Sequence, residues 1–145
     1  MDGARFANAV ASLGCTPAEI TWRAGIDVLS FGATKNGALT AEAVVFFDSQ
    51  LVADFEFRRK RAAHLLSKSR YVSAQLLAYL DNDLWLTLAH HANRLAQRIG
   101  AAAGARLMHP VQANEVFVRL GDERIAALRD LGFEFYDWGA SGSGE

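Results

Sequence analysis

The sequence predicts an α/β fold in which central helices join a strand-bearing first segment to a small C-terminal α+β subdomain. Three observations carry this prediction. Two short, strongly apolar runs, IDVLSF and AVVFF, lie near the start and are separated by a glycine-rich turn. A long stretch follows in which leucine and alanine recur every three or four residues, which is helical spacing. The last third then changes period, with short β-rich runs around one helical pattern. At 145 residues, about half of them hydrophobic, the chain is long enough to bury a core.

Each element follows from local chemistry. Residues 1–5 are a polar, glycine-containing start. Phe6, Ala9, Val10 and Leu13 share one helical face, and Gly14 is placed to stop that helix. Thr16-Pro17-Ala18-Glu19 reads as a capped turn: threonine accepts from a free backbone N–H, proline suits the first helical position, and Glu19 reaches back. Residues 26–31 and 43–47 read as strands whose continuous apolarity suits burial on both faces, and the short link between them allows antiparallel pairing. Leu51, Phe55, Ala62 and Leu66 predict a helix over 51–66. Leu77, Leu80, Leu84, Leu88, Ala92, Leu95 and Ile99 form a longer stripe, interrupted at Asp81-Asn82-Asp83, where Asp81 reads as the N-cap joining two helices. Gly100 and Gly104 close the second helix. Residues 106–109 and 115–120 read as strands, 122–131 as a helix capped by Gly132, and 133–138 as a last strand. The ending ASGSGE has the composition of a flexible tail.

Composition excludes several function classes. A net charge of −1 offers no general pull toward nucleic acid or an anionic membrane. The basic run Arg58-Arg59-Lys60-Arg61 therefore reads as a solvated helix face. No apolar run is long enough to span a bilayer, and the start lacks the basic-then-apolar pattern of a signal peptide. Cys15 is the single cysteine, which suits a reducing, cytoplasmic setting, and no Cys/His spacing matches a metal site. His64, His90, His91 and His109 read as surface or packing residues, and Trp22, Trp85 and Trp138 as core or interface residues.

The residues that carry chemistry are Lys35, in FGATKNG, and Asp2 and Arg5, in DGAR. Each alone has an ordinary reading: a solvated turn lysine, a helix cap, a surface cation. Together they supply what pyridoxal phosphate requires, a lysine to hold its aldehyde and a carboxylate to keep its ring nitrogen protonated. An arginine nearby can grip a substrate carboxylate through a planar two-point contact. Gly32 and Gly37 offer tight turns and close backbone approach to a bulky ligand.

The ordered set DGARFANA, DVLSFGATKNG and AEAVVFFD resembles the threonine aldolase and aromatic amino acid β-eliminating lyase family, and specifically its low-specificity L-threonine aldolase members. The likeness continues through residues 57–97 and through HPVQANEVFVRL. It implies a fold type I, aspartate-aminotransferase-like architecture. Residues 1–48 would then be the C-terminal part of the large cofactor-binding domain, 49–104 connecting helices, 105–138 the small α+β subdomain, and 139–145 the tail. It implies that Lys35 carries the pyridoxal 5'-phosphate, that Asp2 pairs with the ring nitrogen, and that Arg5 binds the substrate carboxylate; Thr34 and Asn36 receive no role. The implied enzyme is a cytoplasmic carbon–carbon lyase that forms dimers or tetramers and cleaves L-threonine or a related β-hydroxy amino acid to glycine and an aldehyde. Family members are more than twice as long and carry DGAR deep inside the large domain. The chain is therefore expected to be a C-terminal fragment with little activity alone. The alternative is a non-catalytic helical and α+β interaction domain.

Overall fold

A computed structural model describes residues 1–138, so the predicted tail at 139–145 lies outside the described residues. They divide into two compact units, Met1–Ala92 and the residues from Asn93 onward.

The first unit is built on a sheet of order β1-β2-β3. Its strands are β1 (Asp2–Gly3), β2 (Val28–Gly32) and β3 (Glu42–Phe46). The β2–β3 pair is antiparallel, with Ser30 opposite Val44, as the short link predicts. The parallel strand β1, pairing Asp2 with Ser30 and Gly3 with Phe31, was not predicted. Two residues are too few to show a periodicity. Helix α1 (Phe6–Leu13) has the predicted bounds, and Gly14 ends it in the left-handed region at φ 61°. Its last apolar residue, Leu13, is nevertheless exposed.

Burial on both faces of the strands was also expected, and here the structure differs. Leu29 and Phe31 of β2 are buried, whereas Ser30 between them and Val44 opposite it are exposed. One face packs on α1 and on the helices after β3, where Phe6, Val10, Tyr79, Trp85 and Ala89 complete the core. Phe6 stacks on Trp85 with ring centroids 6.3 Å apart, and Phe31 meets the edges of both at 5.8 and 6.2 Å.

The expected helix over 51–66 shrinks to a 3-10 turn, Ser49–Val52, and a short α2 (Phe55–Arg61). Asp54 at φ 62° and Ala63 at φ 59° bracket α2, so the backbone leaves the helical region on both sides. The four basic residues Arg58 to Arg61 occupy its last turn, where cations complement the helix dipole. Helices α3 (Arg70–Leu80) and α4 (Leu84–Ala103) meet at Asp81, as expected. Asp81 is the extended C-cap of α3 rather than the N-cap of α4, because Asn82 at φ 50° and Asp83 at φ 55° interrupt the helical path. Its carboxylate accepts from Asn82 Nδ2 at 2.9 Å.

In the second unit α4 runs through Gly100 to Ala103, so only Gly104, at φ 55°, marks its end. Gly100 has another reason to be glycine: a Cβ there would lie 2.6 Å from Val111 Cγ2. The strands predicted at 106–109 and 115–120 reduce to one antiparallel bridge, Leu107 with Val118. Helix α5 (Asp122–Asp130) ends in the predicted glycine cap. Gly132, at φ 87°, donates to Arg129 O, and Phe133 donates to Leu128 O, which together satisfy two terminal carbonyls. Residues 133–138 are not a strand; Phe135 is half-buried while Tyr136 and Trp138 are exposed. Among the described residues no helix is long and apolar enough to cross a membrane.

Candidate active site

The Lys35 turn begins where β2 ends. Ala33 is fully buried and bonds back to the sheet, its N–H donating to Ala41 O at 2.9 Å. Thr34–Asn36 then form a single 3-10 turn, with Asn36 N–H donating to Ala33 O at 3.0 Å. Gly37 closes the turn at φ 107°, a conformation that side chains with a Cβ rarely adopt. Thr34 Oγ1 accepts from the Ala41 N–H at 3.1 Å. Lys35, between these tethered residues, is exposed.

The other two sequence-predicted residues come beside β2 through β1. Because β1 runs parallel to β2, their carboxyl ends point the same way. Ligands in open α/β sheets bind beyond such ends. Asp2 is exposed on β1, and its Oδ1 accepts from the Ala4 N–H at 3.0 Å, which fixes the carboxylate's orientation. Arg5 is half-buried and is the residue from which α1 starts. The structure thus sets Asp2 on β1, Arg5 at the start of α1, and Lys35 in the turn leaving the neighbouring strand.

Two glycines make this neighbourhood possible. A Cβ on Gly3 would lie 2.3 Å from Ser30 O and 2.6 Å from Leu29 Cδ1. A Cβ on Gly32 would lie 3.0 Å from Ala4 Cα and 2.7 Å from a Glu42 carboxylate oxygen. The space at Gly32 is therefore taken by the protein's own backbone, which corrects the expectation that this glycine admits a ligand.

Sequence reasoning missed the residues that hold the turn. Asn36 is buried, and its Nδ2 donates to Tyr79 Oη at 2.6 Å and to Trp85 O at 2.9 Å. Gln75 lies one turn before Tyr79 on α3, and its Oε1 accepts from the N–H groups of Leu39 and Thr40 at 2.9 and 3.2 Å. Burial pushes the Tyr79 phenol pKa up; the Asn36 bond opposes that shift, and the nearby Glu42 charge adds to it. The i, i+4 spacing of Gln75 and Tyr79 is visible in the sequence, but it does not say which loop they face.

The remaining candidates lie elsewhere. His64, His90, His91 and His109 are all exposed. Of the three tryptophans, only Trp85 is in the core; Trp22 and Trp138 are exposed, Trp22 beneath the Arg23 guanidinium at 5.0 Å.

Comparison with known proteins matches residues 1–123 to the beta-eliminating lyase family. The chain is 49% identical over 146 residues to a low specificity L-threonine aldolase from a Pseudomonas species, covering 98% of this chain and 42% of that protein. It is 50% identical over 140 residues to the low specificity L-threonine aldolase of Pseudomonas aeruginosa, covering 94% and 40%. The solved structure of Leishmania major threonine aldolase superposes with a TM-score of 0.78 at 29% identity, over 89% of this chain and 39% of that one. The chain thus spans about two fifths of the length of the relatives it matches.

Proposed function

The chain belongs to the beta-eliminating lyase family, and from that premise we propose that it forms part of a pyridoxal-phosphate-dependent lyase. That enzyme splits the Cα–Cβ bond of L-threonine, or of a related β-hydroxy amino acid, to give glycine and an aldehyde. The fold is a portion of the fold type I architecture. The observation that supports the reading most directly is the parallel pairing of β1 with β2, which sets the DGAR link beside the strand that leads into Lys35.

The residues suit the cofactor. The exposed carboxylate of Asp2 lies on β1, the half-buried guanidinium of Arg5 at the start of α1, and the exposed amine of Lys35 in the turn that leaves β2. When bound, pyridoxal phosphate supplies a ring that draws off the electrons left on the substrate's α-carbon as the Cα–Cβ bond breaks. Lys35 holds the aldehyde carbon through Nζ. Asp2, oriented by the Ala4 N–H, accepts the hydrogen bond of the protonated ring nitrogen and so keeps it protonated. Arg5 grips the substrate carboxylate, and its starting position on α1 holds its backbone in place. The same reading makes the protein a cytoplasmic dimer or tetramer.

Capture of the cofactor tests this reading. The chain has two other lysines, Lys60 and Lys68, both exposed. Incubation with pyridoxal phosphate, borohydride reduction and peptide mapping is expected to mark Lys35 selectively, and Lys35→Ala to abolish the mark. Marks spread evenly over the three lysines would favour a non-catalytic interaction domain instead.

A further inference from the structure

The turn that presents Lys35 has one permissive end, Gly37 at φ 107°, while its start is tied to the sheet through Ala33. Lysine also has a flexible four-carbon stem. With its start tied to the sheet, such a turn holds an amine in one place when its far end is restrained as well.

Asn36 supplies that restraint. It is 7% exposed, and its single amide nitrogen directs its two N–H groups at acceptors on two different elements. One acceptor is the phenol oxygen of Tyr79 on α3, whose ring lies 6.0 Å from that of Phe31 on β2. The other is the backbone carbonyl of Trp85, in the first turn of α4. The residue next to Lys35 is thus tied to the part of the core that also carries Phe6, one residue beyond Arg5. We infer that Asn36 is a positioning residue: by clamping the turn to Tyr79 and Trp85 it presents the Lys35 amine to the cofactor aldehyde in one orientation. The inference rests on the reading of Lys35 as the cofactor-binding lysine.

The test compares the wild-type chain with Asn36→Ala and Tyr79→Phe, each checked for native fold by near-ultraviolet circular dichroism. Pyridoxal phosphate is titrated, borohydride is added at timed intervals, and modified lysines are quantified by mass spectrometry. In each capture Nζ adds to the aldehyde carbon, water leaves, and hydride from borohydride fixes the product as a secondary amine. Lys60 and Lys68 of the same molecules serve as internal references.

Asn36→Ala is expected to lower the limiting rate of Lys35 capture about tenfold relative to Lys60 and Lys68, because a misplaced reacting atom loses the advantage of proximity. The half-saturating cofactor concentration stays the same. Tyr79→Phe keeps the ring and the Trp85 bond, and is expected to lower the rate by roughly threefold. An unchanged Lys35 rate in either folded variant overturns the inference and leaves the Lys35 reading intact. A parallel change at all three lysines marks general loosening and also overturns it. Equal rates at the three lysines of the wild-type chain overturn the cofactor reading, and the inference falls with it. Should Asn36→Ala not fold, Tyr79→Phe decides alone.

Discussion

Glu19 closes the turn after α1 by accepting from both the Thr16 N–H and the Thr16 hydroxyl, each at 2.7 Å. These bonds favour the carboxylate and hold its pKa below the ordinary glutamate value, the backbone bond most strongly, then the hydroxyl, with the Arg23 charge a smaller aid. A carboxyl whose folded pKa is depressed stabilises the fold at pH values above its unfolded pKa. That contribution is lost as pH falls through the folded pKa. Thr16→Val keeps the N–H donor and removes the hydroxyl, so the Glu19 pKa is expected to rise part of the way to its ordinary value. Titration of the side-chain carboxyl carbon by NMR checks this; an unchanged midpoint would show that the hydroxyl contributes nothing. The reach of Glu19 back to the Thr16 N–H was legible in the sequence because it lies within one four-residue motif, whereas the Thr16 hydroxyl, expected to accept from a backbone N–H, instead donates to Glu19. Lys35, Asp2 and Arg5 each have an ordinary local reading, and their proposed roles come from the resemblance carried by DGAR and FGATKNG. Asn36 was passed over because an asparagine in a glycine-bounded turn has the same local signature whether it is solvated or buried under a tyrosine more than forty residues away.

At the scale of elements, α1 was legible to its last residue because its helical spacing and stop glycine lie within a single run. The β2–β3 pair was legible for the same reason, being two adjacent runs with a short link. Where apolar spacing misled, the backbone explains why: α2 is cut short between Asp54 and Ala63, both at positive φ, a preference that hydrophobic period does not report. Strands at 106–109 and 115–120 were read from β-rich composition, yet the two segments meet at a single bridge. Strand β1 left no pattern at all, and it is the element that sets DGAR beside β2. Its pairing depends on Gly3, whose absent Cβ leaves room for Ser30 O and the Leu29 side chain. Gly3→Ala is expected to destabilise the first unit by about 1–3 kcal/mol, since a backbone oxygen cannot yield as a side-chain tip can. Urea unfolding followed by tryptophan fluorescence measures the change, because Trp85 lies in that core. A loss below about half a kcal/mol, the usual range for a surface substitution, would mean that β1 is not held against β2 in solution.

Across the whole molecule, burial is unevenly shared, and this bears on where a rigid site can reside. The first unit holds the aromatic group Phe6, Phe31, Tyr79 and Trp85 together with Val10 and Leu29. Among the described residues from Asn93 onward, Ala96 is the one buried hydrophobic side chain; Leu107, Val118 and Phe117 are half-buried, and Leu131 and Phe133 are exposed. Local opening free energy follows the apolar contacts that an opening must break, so segments in the two units should open at different cost. Hydrogen exchange can compare one bonded amide from each. The Ala33 N–H donates to Ala41 O from a fully buried residue immediately before the Lys35 turn. The Met108 N–H donates to Phe117 O beside the isolated bridge. The two bonds are nearly equal in length, 2.9 and 3.0 Å, so a difference in protection reports the surroundings rather than the bond. Ala33 is expected to exchange at least about a hundredfold more slowly, the ratio produced by roughly 3 kcal/mol of extra opening cost. Comparable protection at the two amides would mean that the second unit gains its rigidity from contacts other than its own core. The strongest protection would then no longer mark the segment that carries Lys35.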